Sequence, residues 1–174
     1  LRPGVDLGAA SVEFILRKHL WEHVETARRL LNDYGEKFIM PSDMAYVENG
    51  MRVEVPVSEL PVAPILLDIG RHTAARYATR IAAANTVFLN GPMGVYEDPV
   101  TETGTRTVFE AVANAAAHTV VGGGDSISAL NKYGLAKKID YVCTGGGAMV
   151  RFLTGDDLPV VEALKYGSEK MKQN

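Results

Sequence analysis

Twice in this chain an apolar run ends in three consecutive glycines and passes at once into a helical pattern. The two stretches are TVVGGGDSISALNKYG over 119–134 and YVCTGGGAMVRFL over 141–153. Glycine carries no Cβ, so the backbone there can take positive φ and approach a ligand or another segment closely. A helix starting at such a junction offers free N–H groups and the positive end of its dipole, which suits a phosphate without needing a lysine. Taken singly, each triplet also reads as a tight turn that lets a helix pack closely on a sheet. Two of them on one rim point toward phosphate.

The remaining pattern supplies the rim. Leu20, Val24, Ala27 and Leu31 recur at helical spacing, so 9–34 is predicted as helix, stopped at Gly35. Strands are predicted at 37–40 and 45–47, with a hairpin turn at Asn49-Gly50. A buried strand at 65–70 precedes a helix at 73–84. Then follow strand 86–91, helix 102–117, strand 119–121, helix 126–134, strand 141–143 and a helix opening near Gly147. A helix at 158–167 and a polar tail close the chain. Short apolar strands alternating with helices imply an α/β fold, a Rossmann-like three-layer αβα arrangement with a mostly parallel sheet plus a small β-hairpin. Ligands of such sheets gather beyond the carboxyl ends of the strands.

Three strand ends carry unusual residues: 90–97, 122–126 and 144–148. Gly122, Gly123 and Gly124 form one junction, and Gly145, Gly146 and Gly147 the other. Asp125 is either a helix-start acid or a ligand to Mg²⁺ on a nucleotide's phosphates, since Mg²⁺ favours few carboxylates plus phosphate oxygens. Ser126 is a helix-start residue or a phosphate hydrogen bond. Asn90 can bond phosphate or ribose, or cap a turn. Glu97 can accept from both ribose hydroxyls, or stand in solvent. Pro92 and Val95 wall a nucleoside or shape the loop.

Several functions are disfavoured. The net charge is −3, which gives no electrostatic grip on nucleic acid or an anionic membrane. The single cysteine, Cys143, excludes an intrachain disulfide and reads as a buried inert thiol. No run is apolar enough to span a bilayer and no secretory signal opens the chain, which points to a cytoplasmic setting. No G-x-x-x-x-G-K-[ST] occurs, and no G-x-G-x-x-G opens a helix. HLWEH at 19–23 matches the H-x-x-E-H pattern of zinc peptidases, with His19 and His23 on one face of a continuous helix. Packing and surface histidines are the default there. An NAD-binding dehydrogenase would want a ribose acid about 20 residues past the glycines. Asp140 is near that spacing, but it precedes a strand instead of ending one.

Taken in order, VFLNGPMGVYE, GTRTVFEAVA, VVGGGDSISAL and YVCTGGGAMVRFLTGDDLPVVEAL resemble the carboxyl-terminal, nucleotide-binding domain of the phosphoglycerate kinase family. LLDIG, PSDM and GVDLGAASVEF upstream extend the resemblance over essentially the whole chain, with the compact middle closest to the archaeal branch. It implies reversible phosphoryl transfer: 1,3-bisphosphoglycerate plus MgADP gives 3-phosphoglycerate plus MgATP. By that resemblance Leu67 lines the adenine pocket and Val95 lies near base and ribose. Glu97 binds the ribose hydroxyls and Asn90 lies near the phosphates. Gly123, Gly124, Asp125 and Ser126 hold phosphates and Mg²⁺, while Gly145, Gly146 and Gly147 present a second helix start to the transferring phosphoryl. Arg71 stands where the family commonly has proline. The resemblance also implies that residues 1–174 are this domain without its opening segment, leaving the sheet incomplete at its N-terminal side. The phosphoglycerate-binding amino-terminal domain would lie before Leu1, and the polar tail would reach back to it. The expectation is a monomeric protein whose 174 residues do not turn over alone. The alternatives are a non-catalytic nucleotide-binding module and a dehydrogenase domain.

Overall fold

The computed structural model describes residues 5–172; Gly4 of the GVDLGAASVEF segment, and Gln173 and Asn174 of the tail, lie outside them. Two helices open the fold, α1 (Ala9–Arg17) and α2 (Val24–Tyr34). The single helix predicted over 9–34 is therefore broken in two: His19 sits in the left-handed region at φ 54°, and a short 3-10 turn spans Leu20–His23. The H-x-x-E-H pair is thereby split, and His19 and His23 do not share one regular helical face.

A small antiparallel sheet follows, with strand order β2-β1-β3. β1 (Asp43–Glu48) and β2 (Met51–Pro56) pair through the predicted hairpin, Glu48 opposite Met51. Asn49 and Gly50 both take positive φ, as a two-residue turn matching strand twist requires. The predicted strand at 37–40 is absent. Gly35–Lys37 form a 3-10 turn instead, and Phe38 and Ile39 are exposed. The predicted strand at 65–70 shrinks to β3 (Asp68–Ile69), which pairs antiparallel with β1 rather than joining the parallel sheet.

The second sheet is parallel, in the order β4-β5-β6: Thr86–Asn90, His118–Gly122 and Tyr141–Cys143. Helix α3 (Arg71–Ala82) precedes it, α4 (Thr103–Ala113) and α5 (Gly124–Lys132) make the crossovers, and α6 (Gly146–Thr154) and α7 (Pro159–Lys172) follow. The α/β class, the parallel sheet with flanking helices and the small antiparallel element are as the sequence implies. α7 runs on through most of the predicted polar tail, and its Val160, Leu164, Tyr166 and Met171 are exposed. No helix is long and apolar enough to cross a membrane among the described residues.

The core lies where α4 and α5 cover the parallel sheet. Phe109, Val112, Val121, Ala129 and Leu130 are almost fully covered, and Phe109 meets Tyr133 edge-on at 6.4 Å between ring centroids. Burying a side chain of the size of Phe109 or Leu130 stabilises by about 1.5–3 kcal/mol. Cys143 is half-buried, not fully inside.

Helix α3 starts on a cap borrowed from β1. The Asp43 carboxylate accepts the N–H of His72 at 3.0 Å and the N–H of Thr73 at 2.7 Å, and also the Thr73 hydroxyl. Arg71 donates its N–H to Glu54 at 3.3 Å, a bond that proline could not make. Burial alone would raise the Asp43 carboxyl, but the Thr73 and His72 bonds outweigh it and hold the group below its ordinary 3.8. Asp43→Ala is expected to cost about 1–2 kcal/mol at neutral pH, the range of a lost helix cap. A folded-state value below the unfolded one gives stability that is complete above 3.8 and lost as pH falls through the folded value. Denaturant titrations should therefore show wild type and Asp43→Ala converging as pH drops below that window, and an unchanging gap would refute the cap.

Candidate functional site

The three parallel strands end in one row. Asn90 pairs with Gly122, and Gly122 with Cys143, so 90–97, 122–126 and 144–148 leave the sheet along a single rim. The glycines of the two triplets divide into packing and open positions. A Cβ on Gly122 would meet the tip of the Met149 side chain of α6, which packs over this glycine. Gly123 has φ 92° and ψ 139°, and a Cβ there would lie 2.5 Å from Asn90 Oδ1. A Cβ on Gly146 would lie 3.0 Å from Gly123 Cα and 3.1 Å from its N. The two junctions thus rest backbone on backbone. Gly124 and Gly147 face open space, and Gly145 has only Ala148 nearby, at 3.9 Å.

Each junction opens a helix. The first backbone bond of α5 runs from Ile127 N–H to the Gly123 carbonyl at 3.1 Å, and that of α6 from Met149 N–H to the Gly145 carbonyl at 2.9 Å. The N–H groups before Ile127 and Met149 precede those bonds and are the free donors of two neighbouring helix starts. Asp125 lies exposed in the first turn of α5. Ser126 is buried, and its Oγ accepts the Gly91 N–H at 2.7 Å, so it pins the loop leaving β4.

That loop carries the other candidates. The Val95 N–H donates to the Leu67 carbonyl at 2.8 Å, and the Thr101 hydroxyl donates to the Val95 carbonyl at 2.5 Å. Leu67 and Val95 thereby form one ledge beside the rim, Leu67 half-buried and Val95 exposed. Thr105 accepts the N–H groups of Met93 and Gly94, next to half-buried Pro92. Glu97 is exposed, while the neighbouring Tyr96 side chain enters the core.

Asp140 lies at the other end of the sheet. It accepts the Thr119 N–H at 2.7 Å at the start of β5, away from the glycine rim, so it cannot serve as a ribose acid there. No group of three or more His, Cys, Asp or Glu is arranged to hold a metal among the described residues. A cleft of about 890 Å³ opens between the α2 end and α3, lined by residues such as Ile39, Pro41, Arg76 and Arg80 and by none of the rim candidates.

A family model for phosphoglycerate kinase matches residues 3–156. The chain belongs to the phosphoglycerate kinase family. It is 42% identical over 164 residues to the phosphoglycerate kinase of Thermoplasma acidophilum, covering 93% of this chain and 40% of that protein. To the phosphoglycerate kinase of Natronomonas pharaonis it is 45% identical over 167 residues, covering 95% and 41%. The crystal structure of phosphoglycerate kinase from Pyrococcus horikoshii superposes with a TM-score of 0.86 at 38% identity, covering 96% of this chain and 42% of that one. The chain therefore spans about 40% of the length of the curated relatives it matches.

The supports of the site are less visible in the sequence than its rim. Asp68, inside an apolar run, is a buried acid whose partner Arg52 lies in the hairpin; an acid amid ILLDIG is the only signal of it. Lys132 and Glu102, which tie the loop to α5 at 2.8 Å, have no local signature. The φ of Gly123 is one that residues with a Cβ adopt only under strain, so Gly123→Ala is expected to cost about 1–3 kcal/mol. Gly124→Ala, into open space, should leave stability nearly unchanged. Equal costs in a denaturant titration would contradict the positive-φ strain assigned to Gly123.

Proposed function

We propose that this chain supplies the nucleotide side of reversible phosphoryl transfer between 1,3-bisphosphoglycerate and MgADP. The observation that carries the reading is the backbone contact of Gly146 with Gly123, which sets two helix starts side by side on the rim next to the Leu67–Val95 ledge. One helix start suits the phosphates already on the nucleotide, and its neighbour suits the phosphoryl in transit. In phosphoryl transfer little covalent chemistry falls to the protein, so fixed N–H donors and helix dipoles aimed at the developing charge do much of what is needed.

In this reading Leu67 and Val95 meet the adenine, Glu97 accepts from the ribose hydroxyls, and Asn90 and Pro92 border the phosphate path. Gly122 lies under Met149 of α6, while Gly123, Gly124 and Ser126 shape the first junction. Gly145, Gly146 and Gly147 shape the second. The donor set fits Mg²⁺: Asp125 is one exposed carboxylate beside open helix N–H groups, which suits an ion carried mainly by phosphate oxygens and not an all-protein cage. The ion would neutralise phosphate charge there.

The phosphoglycerate side is proposed to come from a further domain, toward which the exposed apolar residues of α7 would turn, in a monomeric cytoplasmic enzyme. The 174 residues alone are expected to give no turnover in a coupled ATP assay. Calorimetric titration should show ADP binding that strengthens with Mg²⁺, and Asp125→Asn should remove most of that Mg²⁺ effect while ADP alone still binds. Binding of NAD in place of ADP would overturn the reading.

A further inference from the structure

The ammonium of Lys132 donates to two main-chain carbonyls and pairs as an ion with a buried carboxylate. It lies 2.8 Å from Glu102 Oε2, 2.6 Å from the Tyr96 carbonyl and 3.2 Å from the Glu97 carbonyl. Both carbonyls belong to the segment that carries Glu97.

The charge is held in place from behind. Glu102 is buried, and its other oxygen accepts from Arg106 at 2.7 Å and 3.1 Å. Arg106 in turn lies over the Tyr133 ring, 4.5 Å from its centroid. Burial alone would raise the Glu102 carboxyl, but the bonds from Lys132 and Arg106 outweigh it and keep the group ionised below its ordinary value.

Lys132 is the last residue of α5, and Gly124, at the phosphate junction, is the first. Nine helical residues separate the two ends by about 12 Å. One rigid helix therefore touches the phosphate junction at its start and the Glu97 segment at its end. We propose that Lys132 is a positioning residue for the nucleoside: it clamps the Tyr96–Glu97 carbonyls to the far end of α5 and so fixes the ribose-binding carboxylate at a set distance from the phosphate junction. This rests on the nucleotide reading above and adds to it a residue that touches no ligand.

The test compares ligands with and without a nucleoside in the full-length enzyme. MgADP and magnesium tripolyphosphate are titrated into wild type, Lys132→Met and Lys132→Arg, with kcat and KM for ADP measured alongside. Losing a charge-assisted bond to the loop should weaken MgADP about tenfold and raise its KM similarly. Tripolyphosphate affinity and kcat should change by less than about twofold, because both depend on the glycine junctions. Lys132→Arg, which keeps the charge and several donors, should recover part of the MgADP affinity. If Lys132→Met does not fold, Lys132→Gln, which still donates to one carbonyl, carries the same comparison. Equal weakening of both ligands, or unchanged MgADP affinity, would overturn the clamp. Wild type that binds tripolyphosphate but not MgADP would overturn the nucleotide reading, and the clamp with it.

Discussion

The molecule turns on one buried carboxylate. Asp68, its side chain fully covered, receives Arg52 Nη1 at 2.9 Å and the Gly104 N–H at 2.7 Å on the same oxygen. Arg52 also donates to the Ile69 carbonyl at 2.7 Å and to Glu54 at 2.8 Å. These bonds join the antiparallel sheet to the start of α4, and so to the layer that covers the parallel strands. They leave Leu67, the next residue back, free to offer its carbonyl to Val95. Burial pushes the Asp68 carboxyl above its ordinary value even against Arg52 and Gly104. Such a pair is a weak source of stability in itself, but either partner alone would be a buried uncompensated charge. Its role here is to specify how two sheets meet.

Local chemistry made the rim legible. A glycine triplet after an apolar run signals a strand end and a helix start in the same few residues, and both signals survived folding at 122–124 and 145–147. The hairpin was equally readable, because Asn49-Gly50 needs nothing beyond its own φ angles. Periodicity failed where an apolar run had no neighbour to pair with. Residues 37–40 are apolar enough for a strand, yet after the 3-10 turn they pass beside the middle of α3 as irregular chain, with the Tyr77 hydroxyl donating to the Ile39 carbonyl at 2.7 Å. Residues 65–67 likewise give their hydrogen bonds to single partners, such as Leu66 N–H to Ser11, instead of to a ladder.

The supports were hidden for a different reason. Lys132 and Glu102 stand 30 positions apart, and Arg52 and Asp68 lie on different strands; each pairing exists only after tertiary folding has chosen neighbours. His19 shows the reverse failure. Its spacing from His23 suggested a shared face, but one residue in the left-handed region was enough to break the register. The resemblance to phosphoglycerate kinases supplied roles for the rim residues; it supplied none for the residues that hold the rim in place.

The contact between Gly146 and Gly123 has a mechanical meaning. Two main chains meet with no side chain between them, so the gap is set by atomic radii, and no rotamer is available to absorb a displacement. A side-chain layer would be soft on the scale of a bond rotation; this seam is not. The two helix starts therefore cannot draw closer together, and the spacing between whatever occupies them has a hard lower bound set by the backbone itself.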